Sequence, residues 1–228
     1  MHAGQLQNTG NNLAFLLQDL EKRFSMEQKI AKVISVVLHP LLIPTYTFVI
    51  LFNQSYYFSL IIPYQIKYLL LGVIFITTFM IPASFVLIML RRKMIGSLNM
   101  KSREERLAPL IVTAVFISLA WYMVSQLNIS RIFPLFLLGS GIAVIATILI
   151  NLKEKISLHM VGIGGMLGAF IGISVRFNID MIYIITGIIL LSGFVGFARL
   201  AANAHTQSEV YKGFFTGLLI MIGVFVFF

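Results

Sequence analysis

The chain has 228 residues, of which 59% are hydrophobic and only 11% charged, and its mean hydropathy is +0.95. A soluble globular protein carries about 25% charged residues, so this composition excludes a water-soluble domain and leaves an integral membrane protein. Cysteine is absent and the acidic residues are two Asp and six Glu, which excludes disulfides and thiolate chemistry and leaves little material for Asp-rich magnesium clusters.

Residues 1–31 read as a polar, amphipathic segment. Asn8, Asn11 and Asn12 precede Leu13, Leu16, Leu17, Leu20 and Phe24, which are interleaved with Gln18, Glu21 and Lys22. This pattern predicts a short interfacial helix or a tail, and Met26 is an alternative start. Residues 32–228 read as a transmembrane helical domain. Seven apolar runs, at about 32–52, 66–90, 107–127, 132–151, 156–175, 179–200 and 211–228, are each close to the roughly 20 residues a helix needs to cross a bilayer. They do not alternate as barrel strands do, so the fold class is all-α, a membrane bundle of about seven helices.

The first run contains His39, Pro40 and Pro44. Proline frees backbone groups and bends a membrane helix. His39 is expected to satisfy those groups; the alternative is a kinked helix lining a substrate cleft. Trp121 and the tyrosines at 56, 57, 64 and 68 suit an interfacial belt. Gly164, Gly168 and Gly172, with Gly213 and Gly217, recur every four residues, a spacing that lets helix backbones approach closely in lipid or makes room for a substrate chain. Asn151 and Asn203 stand at run ends, where they are expected to cap helices.

With seven crossings, the N-terminus shares one face with the loops near 91–106, 152–155 and 199–212. That face carries 14 of the 17 basic residues, against Lys67, Arg131 and Arg176 opposite. The positive-inside bias predicts that it is cytoplasmic. The net charge of +9 is then topology and anionic-lipid contact, and no nucleic-acid partner is implied.

Ionisable groups at membrane depth are functional candidates, and three segments on the basic face hold most of them. His205 and Glu209 are four apart before the last run, close enough to pair if that stretch is helical; the bland alternative is a capping or surface pair. Ser157 and His159 open the fifth run. Lys101, Arg103 and Arg106 precede the third, with Pro109 expected in its first turn. Even numbers of crossings separate the three segments, so they return to one face. Two imidazoles, a carboxylate and several cations at one surface suit phosphoryl transfer without a metal or other cofactor.

Order and spacing resemble the type 2 phosphatidic acid phosphatase superfamily, whose motifs are K-x6-R-P, P-S-G-H and S-R-x5-H-x3-D. Here the third motif reads Ala198-Arg199, five residues, His205, three residues, Glu209. The second reads Ile156-Ser157-Leu158-His159, and the first keeps Lys101 and Pro109 but has Ala108 where the family has Arg. The resemblance spans roughly residues 90–228 and implies a six-helix phosphatase-like core. It also implies roles: His205 as the nucleophile that forms a phosphohistidine, Glu209 orienting it, and His159 as the acid for the departing alkoxide. Lys101, Arg199 and Ser157 would bind phosphate, with Arg106 or Arg103 replacing the arginine missing at 108. The implied substrate is a lipid phosphate or diphosphate in a bacterial cytoplasmic membrane. The alternative is an inactive member, or a small transport or scaffold bundle, that binds a lipid headgroup.

Overall fold

The structure, a computed structural model, describes residues 26–97, 100 and 102–228. The tail reading for residues 1–25 and the site residue Lys101 therefore lie outside the described residues. Seven helices are long and apolar enough to span a membrane: α1 (Met26–Phe52), α2 (Tyr64–Arg91), α3 (Glu104–Ser125), α4 (Ile132–Asn151), α5 (Leu158–Phe177), α6 (Ile182–Ala201) and α7 (Gln207–Phe227). A one-turn helix, Tyr57–Leu60, lies between α1 and α2. No strand occurs among the described residues, and the molecule is a membrane helical bundle.

Helix α1 is already helical at Met26, the first described residue and ahead of the apolar run; Met26–Lys32 is free of Gly and Pro. It breaks at His39, whose backbone is extended, and resumes through a 3₁₀ turn, Pro40–Leu42. The residue before a proline avoids the helical region, and neither Pro40 nor Pro44 has an N–H to continue the ladder. His39 Nδ1 accepts from the Leu41 N–H at 3.3 Å, the backbone role expected of it. Tyr46 Oη donates to the Val37 carbonyl at 2.7 Å and satisfies another group left over at the break. Helix α2 carries a π-helical segment, Ile76–Met80, just before Pro82. There Thr78 Oγ1 lies 2.8 Å from the Ile74 carbonyl and 3.3 Å from that of Leu41, which ties the π segment to the α1 turn.

Helix α5 is the centre of the bundle: two-thirds of its apolar window is buried, against 22–44% for the other six. The glycines explain how. A Cβ at Gly164 would lie 2.2 Å from the Phe214 carbonyl oxygen, one at Gly168 would lie 2.4 Å from that of Leu218, and one at Gly217 would lie 2.1 Å from that of Val161. Helices α5 and α7 therefore meet backbone to backbone along most of their length, the small-residue packing that lipid favours. The glycines make room for a neighbouring helix rather than a substrate chain. By contrast Gly187, Gly193 and Gly223 face open space.

Two expectations at helix ends need revision. Asn151 is 3% exposed and its Nδ2 donates to the Arg103 carbonyl at 3.0 Å; it ties the end of α4 to the start of α3 rather than capping its own helix. Pro109 lies past the first turn, because α3 begins at Glu104. Asn203 does behave as a helix terminator, with φ 49° just after α6.

Candidate active site

The three sequence segments converge at one end of the bundle. Helix α6 brings Arg199 in its last turn. Asn203, in the left-handed region that Asn tolerates better than most residues, then reverses the chain, and the Asn203 and Ala204 N–H groups bond back to the Leu200 and Arg199 carbonyls. This turn places His205 just below Arg199. Thr206 is the N-cap of α7, its Oγ1 accepting from the Glu209 N–H at 3.4 Å. His205 is thus outside the helix and Glu209 inside its first turn, yet the pair still closes: Nδ1 and Oε2 are 2.6 Å apart.

This pair is not a surface pair. The His205 side chain is 4% exposed and that of Glu209 20%. A carboxylate can only accept, so His205 carries its proton on Nδ1 and presents a lone pair on Nε2. Burial, and secondarily the positive charges of Arg199 and Arg106, hold the His205 pKa down to about 4, against the pull of the Glu209 hydrogen bond and charge. The imidazole is neutral at pH 7, the form in which it is a nucleophile.

Helix α5 delivers the second segment. Ser157 is its N-cap residue, yet makes no side-chain cap bond; its backbone N–H donates to the Glu209 carbonyl at 3.2 Å, which joins the second segment directly to the third. Ser157 is fully buried and its Oγ has no partner. His159, the second residue of α5, bonds through Nε2 to the Ser35 carbonyl at 3.0 Å. The carbonyl can only accept, so Nε2 carries a proton and Nδ1 is the nitrogen left for chemistry.

Helix α3 supplies the third segment. Arg106 is 6% exposed; its Nε donates to the Met100 carbonyl at 2.9 Å and its Nη1 to the Ile156 carbonyl at 3.3 Å, beside Ser157. Arg103 is exposed and donates to the Lys153 carbonyl instead. Of the two replacements considered for the arginine missing at 108, Arg106 is the one turned inward. It is within electrostatic range of Glu209, and Arg199 is within range of Arg106.

Two further residues reach the cluster from α1. Ser35 Oγ accepts from Arg199 Nη1 at 3.0 Å, and the His39 ring meets the His159 ring edge-on, with centroids 5.6 Å apart. The sequence offered the His39-Pro40 break as a pointer to a kinked, cleft-lining helix, but nothing marked Ser35. The net result is a cluster of imidazoles, guanidinium groups and one carboxylate in which two donors are idle. Arg199 Nε and Ser157 Oγ are both buried without a hydrogen-bond partner, a condition that normally costs about 1–3 kcal/mol per group and calls for a reason. Among the described residues no three His, Asp or Glu side chains converge to hold a metal ion. An apolar groove of about 430 Å³ lies elsewhere, along the π segment of α2, lined by Ile76, Met80, Ile81, Ser84, Phe85 and Ile88. No protein-family model matches this chain, and neither a curated protein nor a solved structure matches it.

Proposed function

We propose that the protein is a metal-independent phosphatase of the type 2 phosphatidic acid phosphatase kind, acting on a membrane lipid phosphate or diphosphate. The observation that carries this reading is the pair of buried, unpartnered donors, Arg199 Nε and Ser157 Oγ, in the same cluster as the neutral His205. A phosphate oxygen is the acceptor that would satisfy both, and Arg106 would add charge in place of the arginine missing at 108. Lys101 joins the set through the sequence resemblance alone.

In the proposed reaction His205 Nε2 attacks phosphorus. The N–P bond forms as the P–O bond to the lipid breaks; the substrate enters as the phosphate monoanion, and its P–OH proton passes through Nδ1 of His159 to the departing alkoxide. Water, deprotonated by His159, then cleaves the phosphohistidine and releases inorganic phosphate. Glu209 holds the His205 tautomer and balances the imidazolium character that develops at Nδ1. The cluster's place at the end of the bundle lets the acyl or prenyl chain stay in lipid while the headgroup meets the cations.

The test is phosphate release from a panel of lipid phosphates and diphosphates in EDTA, with wild-type protein and His205→Ala. Turnover that survives chelation, is blocked by vanadate and vanishes in the variant supports the reading; full activity in His205→Ala removes it. Phosphate binding with no turnover on any substrate favours a headgroup-binding relic. Orientation is part of the proposal: the cluster faces the cytoplasm of a bacterial cell. The chain has no native cysteine, so Ser102→Cys and Asn53→Cys can be probed with an impermeant thiol reagent in intact cells. Labelling at 102 and not at 53 overturns the orientation.

A further inference from the structure

The family resemblance begins near residue 90 and says nothing about α1, yet α1 enters the site through one residue that touches two of its working groups. Ser35 accepts from Arg199 through its side chain at 3.0 Å and from His159 through its carbonyl at 3.0 Å. We infer that Ser35 is a positioning residue of the phosphate site, its hydroxyl holding Arg199 by Nη1 so that the Nε–Nη2 edge of the guanidinium is turned to the phosphate. This inference rests on the phosphatase reading and extends its machinery to the first helix.

The chemistry of the guanidinium makes the assignment specific. Its five N–H donors form a planar fork, and two parallel bonds to an oxyanion need two nitrogens on one edge. A ligand on Nη1 leaves the Nε–Nη2 edge intact, and Nε on that edge is buried without a partner. Were the guanidinium free to rotate, burial of Nε would carry its cost with nothing gained; the Ser35 hydroxyl fixes the orientation in which a phosphate removes that cost. The α1 break explains why Ser35 can do this. His39 leaves the helix, its Nδ1 caps the 3₁₀ turn, and its ring stands edge-on to His159. The helix ahead of the turn is thereby set with Ser35 between α5 and α6.

The two contacts of Ser35 separate experimentally. Replacement by Ala deletes the hydroxyl and keeps the carbonyl that fixes His159. Ser35→Ala should therefore weaken binding of the phosphate group and leave the proton-transfer step nearly untouched. Loss of a hydrogen bond to a charged group is worth about 10-fold to 100-fold in affinity. The experiment measures protection of the purified full-length protein against thermal unfolding by orthovanadate and by inorganic phosphate. It adds KM and kcat on whichever lipid phosphate is turned over.

Expected results are a vanadate midpoint about 10-fold higher in Ser35→Ala, recovery in Ser35→Thr, and a KM that rises about 10-fold while kcat stays within about threefold. In an Arg199→Lys background Ser35→Ala should add nothing, because an ammonium has no second edge to be oriented. Equal protection of wild type and Ser35→Ala overturns the inference and leaves the phosphatase reading standing. An equal loss on adding Ser35→Ala to the wild type and to Arg199→Lys assigns Ser35 to general structure and also overturns it. Failure of vanadate and phosphate to protect the wild type overturns the phosphatase reading, and this inference with it.

Discussion

Two cations at different places in the bundle, Lys67 buried and Arg199 half-buried, differ in how their donors are used. Lys67, in the first turn of α2, is 9% exposed; its Nζ donates to the Phe52 carbonyl and to Ser59 Oγ, both at 2.9 Å, and stands 5.9 and 5.5 Å from the centres of the Phe52 and Tyr64 rings. Phe52 is the last residue of α1, so its carbonyl is one of those a helix end leaves unpaired. Lys67 closes that helix end, and the aromatic faces around it favour a cation. Arg199 is also drawn in from water, but it spends one donor on Ser35 and keeps another, Nε, buried and idle. Burial alone does not distinguish them. The unpaired donor does: Lys67 spends its charge on Phe52 and Ser59, whereas Arg199 Nε is left without a partner, a condition that calls for a reason.

That contrast can be broken most directly at the phosphate end. His205→Ala should lower turnover of a lipid phosphate by at least about 10³-fold, as loss of a nucleophile does elsewhere, with thermal stability little changed. A variant that loses stability and activity in proportion would make the His205–Glu209 pair a structural device like Lys67. His159→Ala should cost about 10²–10⁴-fold with an alkoxide leaving group and distinctly less with a nitrophenolate, which departs without a proton. Equal losses on the two substrates would deny His159 the acid role.

At the other end the signs reverse. Lys67→Met should destabilise the protein by about 1–3 kcal/mol, because it takes a charged donor from the Phe52 carbonyl and the Ser59 hydroxyl, although the carbonyl keeps the Ser59 Oγ–H at 2.7 Å, and leave the vanadate midpoint where it is. A changed midpoint would mean that the two regions are coupled. The smallest effect is in pH dependence. His205 is depressed from 6.5 to about 4 by burial, so between those values the unfolded chain binds more protons than the folded one. Its contribution to stability is complete above about pH 6.5 and is lost as pH falls toward about 4. Denaturation at a series of pH values should show this slope in wild type and in Lys67→Met, and a reduced slope in His205→Ala. Turnover limited by the neutral imidazole should hold down to about pH 5 and fall near pH 4.

How much of this the sequence made legible follows from the range of each interaction. Apolar run length is a local property set by bilayer thickness, and the seven helices fall where the runs do, with ends displaced by caps such as Thr206. The meeting of Ser157 and His159 with Arg199, His205 and Glu209 was legible too, since counting crossings needs no angles. The inward turn of Arg106 was readable only as one of two options: whether 103 or 106 faces in depends on where α3 starts, and that is fixed by a tie from Asn151 on α4. Ser35 was not legible at all. Its approach to Arg199 depends on the direction of a kink at His39-Pro40, and periodicity records that a helix breaks without recording which way it turns.

The backbone contact between α5 and α7 has a consequence for how the site meets its membrane. Those two helices carry His159 at the start of one and the approach to His205 at the start of the other, and they are held together where no side chain separates them, with Gly217 against the Val161 carbonyl and Gly164 against that of Phe214. Such a pair acts as one stiff beam, so the gap between the imidazoles answers to peptide sterics and not to the lipid around it. Arg199 is different: its orientation comes through Ser35 from a hinged first helix that faces lipid over much of its surface. A bilayer a few ångströms thinner or thicker tilts the more loosely held helices at a cost of fractions of a kcal/mol per Å. On the proposed phosphatase reading, membrane thickness would act on headgroup capture before it acts on bond breaking, and an organism that remodels its lipids would retune affinity while leaving the chemistry in place.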